Sequence, residues 1–304
     1  MKLFFIGNGF DLDHKLKTEY KHFRLFLVEE YKAKEKMEFV IEPSTTLMPD
    51  GGVVPSLADC AQLLLTLIDD VAIDSTWREF EKYLGEIDYS LLFDTDLDDD
   101  NPFHTAYNNE DRANDYRVMF SYFNNLFSNW IQTIDTSSGL PAKKKYIDIF
   151  NESSIFISFN YTDTLISLYN IKRESICYIH GDIINPIFGH GNNGDAVTES
   201  LLLGNADITY NEMKIALYKD VFECIHNNAS FLEKVDDVDE IFFIGWSFSD
   251  IDIEYLNYVR EKVGEKHIII HLTAYDYEDN EKYQLILHSL AKFNYEFGEM
   301  IPKD

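Results

Sequence analysis

Four short polar segments hold the residues whose types and spacing suit chemistry. Gly7-Asn8-Gly9-Phe10-Asp11 follows the apolar run Leu3 to Ile6. Two glycines let backbone approach a ligand, and a helix N-terminus behind them favours a phosphate, although the same pattern also makes an ordinary tight turn. Asp11 repels a pyrophosphate unless it contacts ribose hydroxyls or caps the helix. Ser158-Phe159-Asn160-Tyr161-Thr162-Asp163 offers Asn160, which carries both a donor and an acceptor. The plainer uses of Asn160 and Asp163 are helix caps or turns. Tyr178-Ile179-His180-Gly181-Asp182 offers an imidazole, suited to a general base or to a structural hydrogen bond. Gly189-His190-Gly191-Asn192 adds a second imidazole. Gly245-Trp246-Ser247-Phe248-Ser249-Asp250 has the form of a glycine turn followed by a helix cap at Ser249 or Asp250.

These segments need a frame that brings them together. Leu3 to Ile6, Ile155 to Phe159, Ile176 to Ile179, Glu240 to Ile244, His267 to Leu272 and Asn294 to Phe297 read as short buried strands, with Pro186 to Phe188 as a further candidate. Helical periodicity separates them over Thr162 to Tyr169, Asn211 to Leu232, Ile251 to Lys262 and up to Leu290. Strands alternating with helices imply an α/β fold with a mostly parallel sheet covered on both faces. In such a sheet ligands bind at the carboxyl ends of the strands, where all four segments fall. The N-terminal half reads differently. Helices are expected from Leu16 to Tyr31, Ser56 to Asp70, Thr76 to Leu92 and Arg112 to Ile134, with an irregular Met37 to Gly52. The expected organisation is one α/β domain. Residues 1–11 and 151–304 form the sheet core, and residues 12–150 a mainly helical insertion or cap.

Composition narrows the partners. Lys and Arg number 26 against 54 Asp and Glu, a net charge of −28. A field of that sign repels nucleic acid and anionic membrane surfaces, while a buried pocket can still set its own field for a small anion. Hydrophobic residues at 45% supply a sizeable core. Cys60, Cys177 and Cys224 are too few and too scattered for a disulfide framework. The N-terminal apolar stretch is too short for a signal peptide, and no window reaches the roughly 18 apolar residues of a membrane span. A cytoplasmic protein is expected, with homo-oligomerisation open. The run Asp94, Asp96, Asp98, Asp99, Asp100 lacks the glycine and final glutamate of a calcium loop and reads as a solvated acidic segment.

The segments also carry a resemblance. Ile6-Gly-Asn-Gly-Phe-Asp11, Leu16-x-x-x-Tyr20-x-x-Phe23, Trp77-x-x-Phe-Glu-x-x-Leu84, Ser158-Phe-Asn-Tyr-Thr162, His180-Gly181, Phe188-Gly-His190 and Ile244-Gly-x-Ser-x-x-Asp250 resemble, in the same order, the AbiH family of bacteriophage abortive-infection proteins. That family in turn looks distantly similar to sirtuin-type NAD-consuming domains. The likeness implies a Rossmann-like sheet and NAD as substrate. It also implies nucleotide contacts from Gly7, Asn8, Gly9, Phe10, Asp11, Gly245, Ser247 and Asp250. Asn160 would orient water or ribose at the glycosidic carbon, and His180 would act as base. Departures are visible: Asn8 and Phe10-Asp11 replace the small residues of a sirtuin loop, Asp163 falls one position late, and no zinc-binding cysteine set exists, which argues against a protein deacylase.

Three readings follow. The first is an antiphage effector that cleaves the nicotinamide–ribose bond with no metal. The second is a metal-dependent phosphoesterase or nuclease using Asp11, His180, Asp182, His190 and Asp250. The third is a non-catalytic sensor that binds nucleotide while its helical part meets a phage component.

Overall fold

Leu3, Phe4, Phe5 and Ile6 form a continuous apolar run because strand β1 (Lys2–Ile6) lies in the middle of a sheet covered on both faces. A computed structural model describes residues 1–36, 45–49, 51, 53–69, 71–93, 101–136, 139–194, 196–197 and 203–303. The strands after β1 are β2 (Thr45–Leu47), β3 (Val53–Pro55), β4 (Ser154–Ser158), β5 (Ile176–Tyr178), β6 (Glu240–Ile244), β7 (His267–His271) and β8 (Asn294–Phe297). Six of them form one parallel sheet in the order β5-β4-β1-β6-β7-β8. Counted in chain order within that sheet, the arrangement is 3-2-1-4-5-6, the order of doubly wound sheets that bind dinucleotides where the strand order reverses. The period-2 alternation of β1 sends Leu3 and Phe5 into one core with Ile157, Phe243 and Trp246. Phe4 and Ile6 enter the other, with Phe10, Phe156 and Ile244.

The chain divides into two compact units. A sheet unit comprises Met1–Thr18, Ile131–Ile187 and Asp220–Asp304, and a helical unit comprises Glu19–Trp130 and Phe188–Lys219. The boundaries therefore differ from those expected at residues 11 and 151, and residues 188–219 fall in the helical unit. That unit is built from helices Tyr20–Tyr31, Leu57–Ile68, Trp77–Leu84, Pro102–Phe120 and Ala206–Ala216, among others. Its interior is aromatic. Phe127 stacks on Phe188 at 4.6 Å and meets Phe23 edge-on at 5.3 Å, and Tyr20 stacks on Phe80 at 4.4 Å. The stripes of Trp77, Phe80, Phe127 and Trp130 are thus core.

Several expected elements change shape. Helix Pro102–Phe120 begins well before Arg112, because the Asn101 side chain accepts the Phe103 N–H and Pro102 takes the first helical position. A separate helix, Phe123–Ile131, follows it. The long helix expected to Leu232 is three pieces, Ala206–Ala216, Val221–Asn227 and Ala229–Leu232. Pro186 makes only an isolated bridge to Gly181 and no strand. The irregular Met37 to Gly52 contains β2, which pairs antiparallel with β3. The acidic run Asp94 to Asp100 lies outside the described residues. The three cysteines are buried and form no disulfide. Among the described residues no helix is long and apolar enough to cross a membrane.

Candidate functional site

Parallel pairing puts Gly7, Asn160, His180 and Gly245 at one edge, since they follow the carboxyl ends of β1, β4, β5 and β6. The glycines serve a purpose different from the expected one. Gly7 N–H donates to the Ile244 carbonyl at 3.0 Å, Gly9 N–H to the Gly245 carbonyl at 3.0 Å, and Phe10 N–H to the Gly7 carbonyl at 2.9 Å. A Cβ on Gly7 would stand 2.5 Å from Gly245 O, and one on Gly9 2.6 Å from Gly245 Cα. Glycine is needed here because the two loops lie backbone against backbone. These amides are spent within the protein, and the helix they open, Asn8–Asp13, is only six residues long. Phe10 turns its ring into the core, 4.7 Å from His14 and 5.0 Å from Tyr146. Asn8 donates through Nδ2 to the Thr18 carbonyl at 3.1 Å.

Asp11 is 1% exposed, so its carboxylate meets no solvent. Thr162 Oγ1 donates to its Oδ2 at 2.6 Å and Thr164 Oγ1 to its Oδ1 at 2.7 Å. Burial is the largest influence and pushes its pKa up to about 6, against the lowering effect of the two hydroxyls. A pKa raised on folding adds stability that is complete below the unfolded value of 3.8 and is lost as pH climbs through about 6. Asp11→Asn removes that dependence. Urea titrations should show the variant gaining on the wild type by on the order of 3 kcal/mol from about pH 4 to about pH 7. Parallel stability–pH curves for the two proteins would contradict this.

Asn160 and His180 are more buried than strand-end side chains need be, at 6% and 3% exposed. Asn160 Nδ2 donates to the Gly7 carbonyl at 3.1 Å, which ties the loop after β4 to the loop after β1. His180 Nε2 stands 3.2 Å from Asp252 Oδ1, and the other oxygen of Asp252 accepts the Ser249 hydroxyl at 2.8 Å. Phe159 meets the imidazole edge-on at 5.3 Å and Tyr255 lies 5.6 Å from it. The arrangement is a buried carboxylate bonded by a serine and within ion-pair distance of a histidine, which suits a base whose imidazolium must be stabilised. The serine faces the carboxylate and not the imidazole, so the chain Ser249–Asp252–His180 differs from a serine nucleophile with its base.

Asp252, Thr162 and Thr164 were missed as site residues. Asp250 and Ser247, expected at the nucleotide, are exposed. The N-cap of helix Ile253–Val263 is Asp252, three residues beyond Ser249 and two beyond Asp250, the two expected caps. The loop runs on because Phe248 takes a left-handed conformation with its ring buried. The spacing Ser249-x-x-Asp252 is itself a capping signature, and it was the available signal.

The other candidates have partners of their own. Asp163 accepts the Tyr178 hydroxyl at 3.0 Å and makes no side-chain cap. Asp182 is bound by Arg173 at 3.1 Å and by the Ile184 and Asn185 amides. His190 belongs to the helical unit. Its Nδ1 accepts the Asn192 N–H and its Nε2 faces the Lys214 carbonyl at 3.2 Å, while burial pushes its pKa down to about 4. Among the described residues, no three His, Cys, Asp or Glu side chains gather in a way that could hold a metal ion.

Neither a curated protein nor a solved structure shows significant similarity to this chain. A model of the family described as bacteriophage abortive infection AbiH matches residues 3–274, from β1 to the start of helix Ala274–Glu278. The chain therefore belongs to the AbiH family of bacteriophage abortive-infection proteins.

Proposed function

We propose that this abortive-infection protein acts by hydrolysing NAD at the nicotinamide–ribose bond, with His180 as base and Asn160 as the orienting amide. The observation that carries the reading is the buried His180, 3.2 Å from Asp252, at the carboxyl edge of a 3-2-1-4-5-6 sheet. The bond to be cleaved needs little else. Nicotinamide leaves from a cationic ring and departs neutral, so no general acid is required. A water oxygen bonds to the anomeric carbon and the C–N bond breaks. The water proton passes to His180. The Asp252 carboxylate, 3.2 Å from Nε2, steadies the imidazolium that results. Products are nicotinamide, ADP-ribose and a proton.

The closed glycine loops bear on how NAD would sit. With Gly9 N–H committed to Gly245, the diphosphate takes its contacts elsewhere on this edge or opens that bond. The phosphoesterase reading has weaker support, because Asp182 is committed to Arg173 and His190 to backbone of the helical unit. A phage component as trigger remains part of the proposal.

The test is product analysis after pure protein meets NAD, with and without EDTA. Nicotinamide and ADP-ribose should form at the same rate in both. NAD should also fall in infected cells carrying the wild type and hold steady with His180→Gln. Chelator-sensitive turnover, or unchanged NAD in protected cells, would refute the reading.

A further inference from the structure

Five non-glycine residues among those described have positive φ, and four of them, Lys15, Lys32, Lys36 and Asn170, are exposed and polar. Lys32 and Asn170 end helices, the usual place for this conformation. Phe248 is the exception. Its φ is +54, its ring is 1% exposed, and it stands ahead of a helix rather than at the end of one. A bulky side chain in the left-handed region is disfavoured and persists only where its surroundings hold it there. Here the surroundings are aromatic: the Phe248 ring lies 4.4 Å from that of Trp246 and 4.8 Å from that of Phe243, centroid to centroid.

The turn that carries the carboxylate follows directly. Ser249 is buried, and its carbonyl accepts the N–H groups of Asp252 and Ile253, both at 3.0 Å. Its hydroxyl oxygen accepts the Asp252 N–H at 3.3 Å and donates to Asp252 Oδ2 at 2.8 Å. Asp252 Oδ1 then stands 3.2 Å from His180 Nε2. One backbone reversal therefore sends the Phe248 ring into the core beside Trp246 and brings the next residue round to hold Asp252. We infer that Phe248 is a positioning residue: its buried ring holds the left-handed backbone, and that backbone sets the Ser249–Asp252 turn against His180. The reaction served is the proposed NAD hydrolysis, on which this role rests, while the geometry stands on the loop alone. Phe248 touches no reacting group and acts through Asp252. A glycine would take the same φ freely, but without a ring to anchor it the turn could swing away from His180.

Phe248→Leu in the full chain tests this role. Leucine stays apolar, fills less of the space beside Trp246 and is no better suited to positive φ. NAD cleavage should fall by about 10²-fold with KM little changed, as expected when a group near the reacting atoms is misplaced from a distance. Phe243→Leu is the control, since Phe243 belongs to the same aromatic cluster but lies in the regular strand β6. It should lower the melting temperature to a similar degree and leave the rate unchanged. Equal rate losses at the two positions would overturn the inference. Phe248→Leu/Asp252→Asn should be no slower than Asp252→Asn, because Phe248 acts through Asp252. Losses that multiply would overturn it as well. A second measurement does not depend on turnover. In nitrogen NMR spectra of the imidazoles, with His180→Gln to assign the signals, the His180 resonances should move in Phe248→Leu toward their positions in Asp252→Asn and stay in place in Phe243→Leu. Unmoved resonances in Phe248→Leu would overturn the inference. A wild type that cleaves no NAD while the variants give these shifts would refute the substrate and leave the positioning role standing.

Discussion

His180→Gln is expected to lower NAD cleavage by about 10²–10⁴-fold and to leave a folded protein. Glutamine keeps a polar group near Asp252 but cannot take a proton at neutral pH. Alanine is the poorer probe. His180 is 3% exposed and faces a buried carboxylate, so truncation leaves Asp252 short of its partner at a cost of about 1–3 kcal/mol. Loss of activity in the alanine variant would then mix chemistry with unfolding. Asp252→Asn should come second, on the order of 10² or more in rate, because it removes the charge that stabilises the imidazolium while keeping the side chain's size. Ser249→Ala should come last, since it deletes one neutral hydrogen bond to the carboxylate. The ranking matters more than any one value. Initial rates and thermal melts measured on all three decide it. If Ser249→Ala were as damaging as His180→Gln at equal stability, the serine would be the group that attacks, and the proposed role of water would be wrong.

What could be read from the sequence followed from local pattern. Short apolar runs located β1, β4, β5 and β6, and a parallel sheet then forces their carboxyl ends to one edge, so Gly7, Asn160, His180 and Gly245 were placed without coordinates. The partners of these residues were not legible. Asp252 is 72 positions from His180 in the chain, and only the packing of the loop after β6 beside that after β5 makes them neighbours. The expected caps, Ser249 or Asp250, fall short of Asp252 because a left-handed Phe248 precedes the helix, and β-turn chemistry does not announce a buried aromatic in that conformation. The glycines were ambiguous for a related reason. A glycine after a strand signals close approach of something, and sequence does not say whether that something is a ligand or a second loop of the same protein.

Gly245→Ala should separate those two meanings, with the largest stability loss of any single change considered. Gly245 has φ +64, and a Cβ there would lie 2.5 Å from Gly9 Cα, so the loops after β1 and β6 would have to part and the Gly9 N–H to Gly245 O bond would break. Gly264 supplies the control. Its φ is +60, but a Cβ would meet nothing within 4 Å. Gly264→Ala therefore reports conformational strain alone, about 1–3 kcal/mol. Gly245→Ala adds the steric term and the lost hydrogen bond, for a total on the order of 3–5 kcal/mol. Urea unfolding of both variants gives the difference directly. A cost at Gly245 no greater than at Gly264 would mean that the two loops already stand apart in solution, with the amides of Gly7 and Gly9 turned to whatever binds there. A large excess would mean that the loops are a closed structural joint, and that under the proposed NAD hydrolysis the diphosphate would take its contacts on the β4 and β5 side of the edge, beside Asn160 and His180.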